Sequence, residues 1–242
     1  MPEAVLITGA SGKLGRPLAS HFSEKRYFIW LHYFKNEETC RETLDLIQSA
    51  GGNGALVQAD LRKSSDIQRM FQTIDQTQPL SLLINSASVF VKSKLNEINL
   101  DSWDEIFDVN LKAVWMCSAA AAESMKRNGA KNGAIINVSD SGAYQDWVNY
   151  GAYSLSKAAV QRLTVLLAKT FAPDVRVNSI SPGLILSDPS QADEGWDRIV
   201  RKSLLGRSGT VQNFIEGVAF LAESEYVTGI DLPVDGGYRW QK

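Results

Sequence analysis

The 242-residue chain has a formal net charge of −2 and 44% apolar residues, enough for a sizeable core and without the positive charge that would draw nucleic acid or an anionic membrane. Its first residues lack the basic and long apolar stretches of a secretory leader, and its longest soft apolar run, 113–122, is too short for a bilayer. Two distant cysteines, Cys40 and Cys117, and two histidines, His21 and His32, stand at no metal-ligand spacing, so the chain reads as a reduced, cytoplasmic protein with neither a disulfide framework nor a metal site.

Short β-leaning runs alternate with stretches of helical period almost to the end. Strands are expected over 4–8, 28–33, 55–58, 80–84, 134–138, 175–180 and 232–234. Helices are expected over 14–25, 37–50, 65–77, 103–127, 152–171 and 211–222, with turns at 51–54 and 129–133. Such alternation builds crossover units, so the fold class is α/β: a parallel, doubly wound sheet with helices on both faces. No linker, repeat or low-complexity run divides residues 1–242, which form one domain. The polar stretch 184–203, with Pro189, Gly195, Trp196 and Ile199, is read as a substrate lid at the carboxyl ends of the strands, or else as a surface excursion.

The run from Thr8-Gly9 to Gly12-Lys13-Leu14-Gly15 is a strand, a tight turn and a helix start. Glycines there let backbone N–H groups approach a pyrophosphate, and the helix N-terminus adds partial positive charge. After the second strand come His32-Tyr33-Phe34-Lys35-Asn36, with no acid before Glu37. A site for NAD(H) places an acidic residue near this point for the ribose 2′-hydroxyl. Lys13 and Lys35 instead favour a 2′-phosphate and hence NADP(H), unless both are merely solvated surface lysines. The pair Tyr153 and Lys157 lies on one face of a helix. A cation about 4 Å from the phenol contributes roughly 4 kcal/mol at an effective dielectric of 20, equivalent to lowering its pKa by up to about 3 units. That shift would bring Tyr153 into range for general acid catalysis.

Taken together, Thr8-Gly9 with Gly15, Asp60-Leu61, Asn85-Ser86-Ala87-Ser88, Val109-Asn110, Tyr153 with Lys157, Pro182-Gly183 and Val234-Asp235-Gly236-Gly237 resemble the short-chain dehydrogenase/reductase family over essentially the whole chain. The resemblance implies a Rossmann-like sheet of about seven parallel strands, a nicotinamide cofactor and a homotetramer. It also implies that Asn110, Tyr153 and Lys157 are catalytic and that Asp60-Leu61 lie near the adenine. Pro182 and Gly183 would then lie near the nicotinamide. Gly9, Lys13, Leu14 and Gly15, the run from His32 to Asn36, and Asn85, Ser86 and Ala87 complete the implied cofactor site, with Tyr153 and Lys157.

Three departures narrow the resemblance. Lys13 replaces a customary glycine, Ser86 and Ser88 depart from Asn-Asn-Ala-Gly, and Asp140 stands thirteen residues before Tyr153, where the family carries its catalytic serine. A one-residue slip of the loop would put Ser139 there instead. These departures resemble the pteridine reductase and dihydromonapterin reductase branch, which implies NADPH-dependent reduction of a small pterin-like molecule. By that resemblance Asp140 is catalytic, and Ser88, Phe90, Asp140, Tyr153 and Leu184 hold the substrate, with Phe90 stacked on it; as a core residue, Phe90 would do neither. A carboxyl group also suits ring nitrogens better than a ketone oxygen. A carbonyl reductase acting on a 3-oxoacyl, sugar or steroid substrate, or a non-catalytic NADP(H) sensor, remains the competing expectation.

Overall fold

The computed structural model describes residues 3–185 and 194–241. Seven parallel strands form one sheet in the order β3-β2-β1-β4-β5-β6-β7. They are β1 Ala4–Thr8, β2 Phe28–Tyr33, β3 Asn53–Gln58, β4 Leu82–Asn85, β5 Gly133–Val138, β6 Val175–Pro182 and β7 Asp231–Val234. The helices are α1 Gly15–Glu24, α2 Glu37–Ser49, α3 Ser64–Thr77, α4 Leu100–Phe107, α5 Ala113–Arg127, α6 Gly151–Phe171, α7 Glu194–Val200 and α8 Val211–Glu223.

Alternate residues of each strand feed two cores. Leu6, Trp30, Leu83, Ile135 and Val177 pack on one side against Ile67 and Phe71 of α3, Cys117 and Met125 of α5, and Leu167 of α6. Val5, Ile7, Leu31, Ile84 and Ile136 face the other side, against Leu18 and Phe22 of α1, Ile47 of α2, and Phe214 and Val218 of α8. Each fully buried side chain of this size contributes roughly 1.5–3 kcal/mol, so both faces of the sheet are firmly held. The cysteines are free and buried, one in each core.

Strand order reverses between β1 and β4, and the carboxyl ends of those strands leave the crevice where ligands bind in open α/β sheets. Two expectations change. The helix expected over 103–127 is interrupted: a π-helical turn, Asp108–Lys112, separates α4 from α5. Such turns are frequent at functional sites, and this one carries the buried Asn110. The expected lid 184–203 contains α7, while residues 186–193 of it lie outside the described residues. Among the described residues no helix is long and apolar enough to cross a membrane.

Candidate active site

A cleft of about 520 Å³ runs along the carboxyl ends of β1, β2, β3, β4 and β5. Its first end is the β1–α1 turn. Gly9 has φ +67°, and a Cβ there would come within 2.8 Å of the Ala87 Cα, so only glycine fits. Thr8 Oγ1 accepts from the backbone N–H groups of Ser86 (3.0 Å) and Ala87 (3.1 Å), pinning the β4 loop beside the turn. The N–H of Gly9 donates to His32 Nδ1 (3.1 Å), which leaves Nε2 protonated and donating to the Ala59 carbonyl (3.1 Å). Burial lowers the His32 pKa to about 4, so the ring is neutral near pH 7 and braces β1, β2 and β3.

The start of α1 has no side-chain cap and no acidic residue in its first turn, leaving its N–H groups to an anion. Lys13, Leu14 and Gly15 line the cleft here, and Tyr33, Phe34, Lys35 and Asn36 line it opposite. Lys13 and Lys35 are exposed, and neither makes an ion pair among the described residues; the Lys35 ammonium lies 5.2 Å from the Phe34 ring centroid. Glu37, the first acid after β2, is bound by Arg41 at 2.5 Å and by Tyr33, and both hold its carboxyl below the usual range. Asp60 and Leu61 also line the cleft. Asp60 is chelated by Arg62 (Nε–Oδ1 2.8 Å, Nη2–Oδ2 2.8 Å), which lowers its pKa. Arg62 in turn lies 5.2 Å from the Phe34 ring. No motif singled out Arg62; its place two residues after Asp60 was the available signal.

At the other end stand Asp140, Tyr153 and Lys157. The Tyr153 hydroxyl donates to Asp140 Oδ2 at 2.9 Å, and Asp140 Oδ1 accepts from the Gly142 N–H at 2.6 Å. The neighbouring Ser139 hydroxyl points the other way, donating to the Lys157 carbonyl at 2.9 Å. The loop has therefore not slipped: the carboxyl, and not the hydroxyl, faces the phenol. Lys157 Nζ donates to the Val138 carbonyl at 2.9 Å and lies 5.7 Å from the Tyr153 ring centroid.

Electrostatics here differ from the simple expectation of a lysine that acidifies the tyrosine. Burial, and next the charge of Asp140, push the Tyr153 phenol well above its ordinary pKa. Burial pushes the Asp140 carboxyl up as well, against the pull of Gly142, Tyr153 and Lys157, and brings Lys157 down to about 8. Desolvation outweighs the distant ammonium, so both the carboxyl and the phenol are shifted upward.

Asn110, expected to be catalytic, spends its side chain on the loop after β4. It donates to the Val89 carbonyl (2.9 Å) and to Ser156 Oγ (3.1 Å), and accepts from the Val89 N–H (2.7 Å) and the Ser88 hydroxyl (3.2 Å). All its hydrogen-bonding valences are engaged. Asn85 likewise turns inward, donating to Ser118 Oγ and Asn137 Oδ1, and is absent from the cleft wall. Ser86, Ala87, Ser88 and Pro182 do line the wall. Gly183 packs behind it, where a Cβ would meet the Asp235 Cα at 2.6 Å. The carbonyl of Leu184 accepts from the Gly209 N–H at the border of the undescribed segment.

Phe90 is 54% exposed and therefore no core residue. Its ring stacks on Tyr150 (4.5 Å, 14°) and meets Tyr153 edge-on (4.6 Å, 85°), while Trp147 packs over Gly142 and against Tyr150. Tyr150 and Trp147 were missed in the sequence. Their three-residue spacing from Tyr153 and from each other was the signal for an aromatic rim.

A family model described as enoyl-(acyl carrier protein) reductase matches residues 9–239. A short-chain type dehydrogenase/reductase of Picea abies is 32% identical, with 97% of this chain and 92% of the relative covered. A 3-oxoacyl-[acyl-carrier-protein] reductase, FabG, of Staphylococcus aureus is 30% identical, with 98% of each chain covered. Among solved structures, the FolM alternative dihydrofolate reductase 1 of Brucella canis complexed with NADP is 27% identical, with a TM-score of 0.88 over 98% of this chain and 94% of that one.

Proposed function

This chain belongs to the short-chain dehydrogenase/reductase family, and on that footing we propose that it is an NADPH-dependent reductase of a pterin-type heterocycle, of the dihydromonapterin, dihydrobiopterin or dihydrofolate kind. The observation that carries the reading is the Asp140–Tyr153 contact at 2.9 Å, with Ser139 turned away. A carboxyl can accept from ring N–H groups or, protonated, deliver a proton to a ring nitrogen. An ionised carboxylate beside a ketone would repel the oxyanion formed on reduction. The FolM structure complexed with NADP supports the same reading.

The cleft fits NADP(H): a glycine-only turn, a helix start without a side-chain cap and two exposed lysines that have no carboxylate partner among the described residues meet one end of it. Lys13 and Lys35 would hold the 2′-phosphate, the β1–α1 turn the pyrophosphate, and Lys157 the ribose. Bound there, the cofactor supplies a hydride to the carbon of a ring C=N bond. Asp140 and Tyr153 deliver the proton to the nitrogen, drawing it from a pair whose pKa values burial keeps high. Phe90 covers one face of the flat ring, as an exposed aromatic beside the proton donors can.

The FabG relative favours a second reading, reduction of a 3-oxoacyl thioester. NADPH oxidation measured side by side on dihydromonapterin, 7,8-dihydrobiopterin, dihydrofolate and an acetoacetyl thioester separates the two. A kcat/KM at least about tenfold higher on a pterin is expected, a discrimination within reach of a site built around ring N–H groups. Turnover of the thioester alone would return the protein to the carbonyl reductases.

A further inference from the structure

A second carboxylate, Asp231 on β7, joins β6 to the two elements that carry the proton-handling groups, the 3₁₀ turn 141–144 and α6. It accepts from the Ser179 hydroxyl (2.6 Å) and from the Ser181 hydroxyl, which bridges both carboxylate oxygens (2.9 and 2.8 Å). It also accepts from the Gln161 amide of α6 (3.4 Å) and the Tyr144 hydroxyl (2.5 Å). Ser181 immediately precedes the cleft residue Pro182, Gln161 lies one helical turn beyond Lys157, and Tyr144 closes the short 3₁₀ turn that Asp140 caps.

The same turn is gripped again one residue later. The Gln145 amide donates to the Tyr238 carbonyl, while its Oε1 accepts from Gln241 (2.7 Å) and Trp147 (3.0 Å). The Arg239 guanidinium lies 5.7 Å from the Tyr144 ring centroid. None of the residues from Asp231 to Gln241 lines the cleft, yet they fasten the turn that presents Asp140.

We propose that Asp231, acting through Tyr144, is a positioning residue that holds the half-buried Asp140 carboxyl against Tyr153. The inference rests on the reading of Asp140 as the acid–base group. Asp140 makes no ion pair among the described residues; its contacts are the Gly142 N–H and the Tyr153 hydroxyl. The charged or titratable groups facing it are Tyr153 and Lys157 from α6 and Tyr238 from the C-terminal turn. A half-buried carboxyl so weakly compensated gains free energy by moving further toward water, so its place against Tyr153 depends on how firmly the turn is held. Releasing Tyr144 lets the turn relax, hydrates Asp140 and lengthens its contact with Tyr153.

The test uses Tyr144→Phe, which removes the hydroxyl but keeps the ring under Arg239, together with Asp231→Ala and the conservative Asp231→Asn. The first readout is the pH titration of the Asp140 carboxyl ¹³C resonance, assigned by its loss in Asp140→Asn. The second is kcat and KM with NADPH and 7,8-dihydrobiopterin. In Tyr144→Phe and Asp231→Ala the titration moves down by about one unit or more as the carboxyl becomes hydrated. Their kcat falls roughly 10- to 100-fold, the scale of an ångström-sized misplacement, with KM for NADPH unchanged; Asp231→Asn recovers most of both. If Asp231→Ala does not fold, Tyr144→Phe carries the test, since that phenol is 41% exposed. An unchanged Asp140 titration in folded Tyr144→Phe overturns the proposal, and needs no turnover to be seen. Wild-type kcat in Asp140→Asn would instead overturn the acid–base reading of Asp140.

Discussion

The two ends of the cleft are built by opposite means. At the phosphate end the cations Lys13 and Lys35 stand exposed, and the turn between β1 and α1 is fixed by neutral groups: a glycine at φ +67°, a threonine hydroxyl and an uncharged imidazole. At the proton end Tyr153 and Lys157 are buried and Asp140 is half-buried, all three held by hydrogen bonds to one another or to nearby backbone. An exposed charge is screened and contributes little until a dianion meets it. A buried charge sets the proton affinity of its neighbours. Under the proposed function, changes at the first end would therefore tune which cofactor binds, and changes at the second would decide whether the chemistry runs.

The sharpest challenge to this contrast is acid, because the frame of the phosphate end includes a buried imidazole, His32. The folded pKa of His32, about 4, lies below the ordinary imidazole value of 6.5. Between those values the unfolded chain binds more protons than the folded one, so stability falls as pH drops from about 6.5 toward 4 and then levels off. For a shift of this size the loss is about 3 kcal/mol. Denaturant melts across that range, repeated on His21→Asn to remove the like-signed contribution of His21, measure it. A His32 imidazole that titrates near its ordinary value would show that the ring does not brace the turn.

A smaller effect sharpens the contrast from the other side. Lys13→Ala and Lys35→Ala should each weaken NADPH binding about tenfold while barely changing NADH, as loss of one charge-assisted contact to a 2′-phosphate would. The effect should shrink with added salt because both lysines are exposed. Fluorescence titrations of both cofactors at low and high ionic strength report it. Equal losses for NADH would place the lysines elsewhere.

Much of this is legible in the amino-acid sequence. Strand runs such as Val5-Leu6-Ile7 and Leu82-Leu83-Ile84 have nothing but apolar side chains on both faces, as a sheet covered on both sides requires. Gly9, Lys13, Lys35, Asp140, Tyr153 and Lys157 stand on the cleft as their spacing implies. What stayed hidden depends on where side chains turn in three dimensions. Asn110 sits on a π-helical turn that no periodicity announces, and its amide is committed to the loop carrying Ser88 and Val89. His32 and Asn85 carry motif positions yet serve as internal braces. The Tyr153–Lys157 spacing was correct, but the sign of the phenol's shift depends on desolvation and on Asp140, which spacing alone does not weigh. Arg62, Tyr150 and Trp147 reach the site through side-chain packing set by the fold.

The central claim, that a carboxyl at position 140 makes this a reductase of nitrogen heterocycles, is tested most directly by the kinetics of Asp140→Ser and Ser139→Ala on a single pterin, with folding checked by thermal melts. Asp140→Ser should lower kcat by roughly 10²–10⁴-fold, the range for a positioned acid–base group. Ser139→Ala should leave kcat nearly unchanged and cost only the stability of one buried hydrogen bond, about 1 kcal/mol. A fully active Asp140→Ser beside a crippled Ser139→Ala would contradict the account.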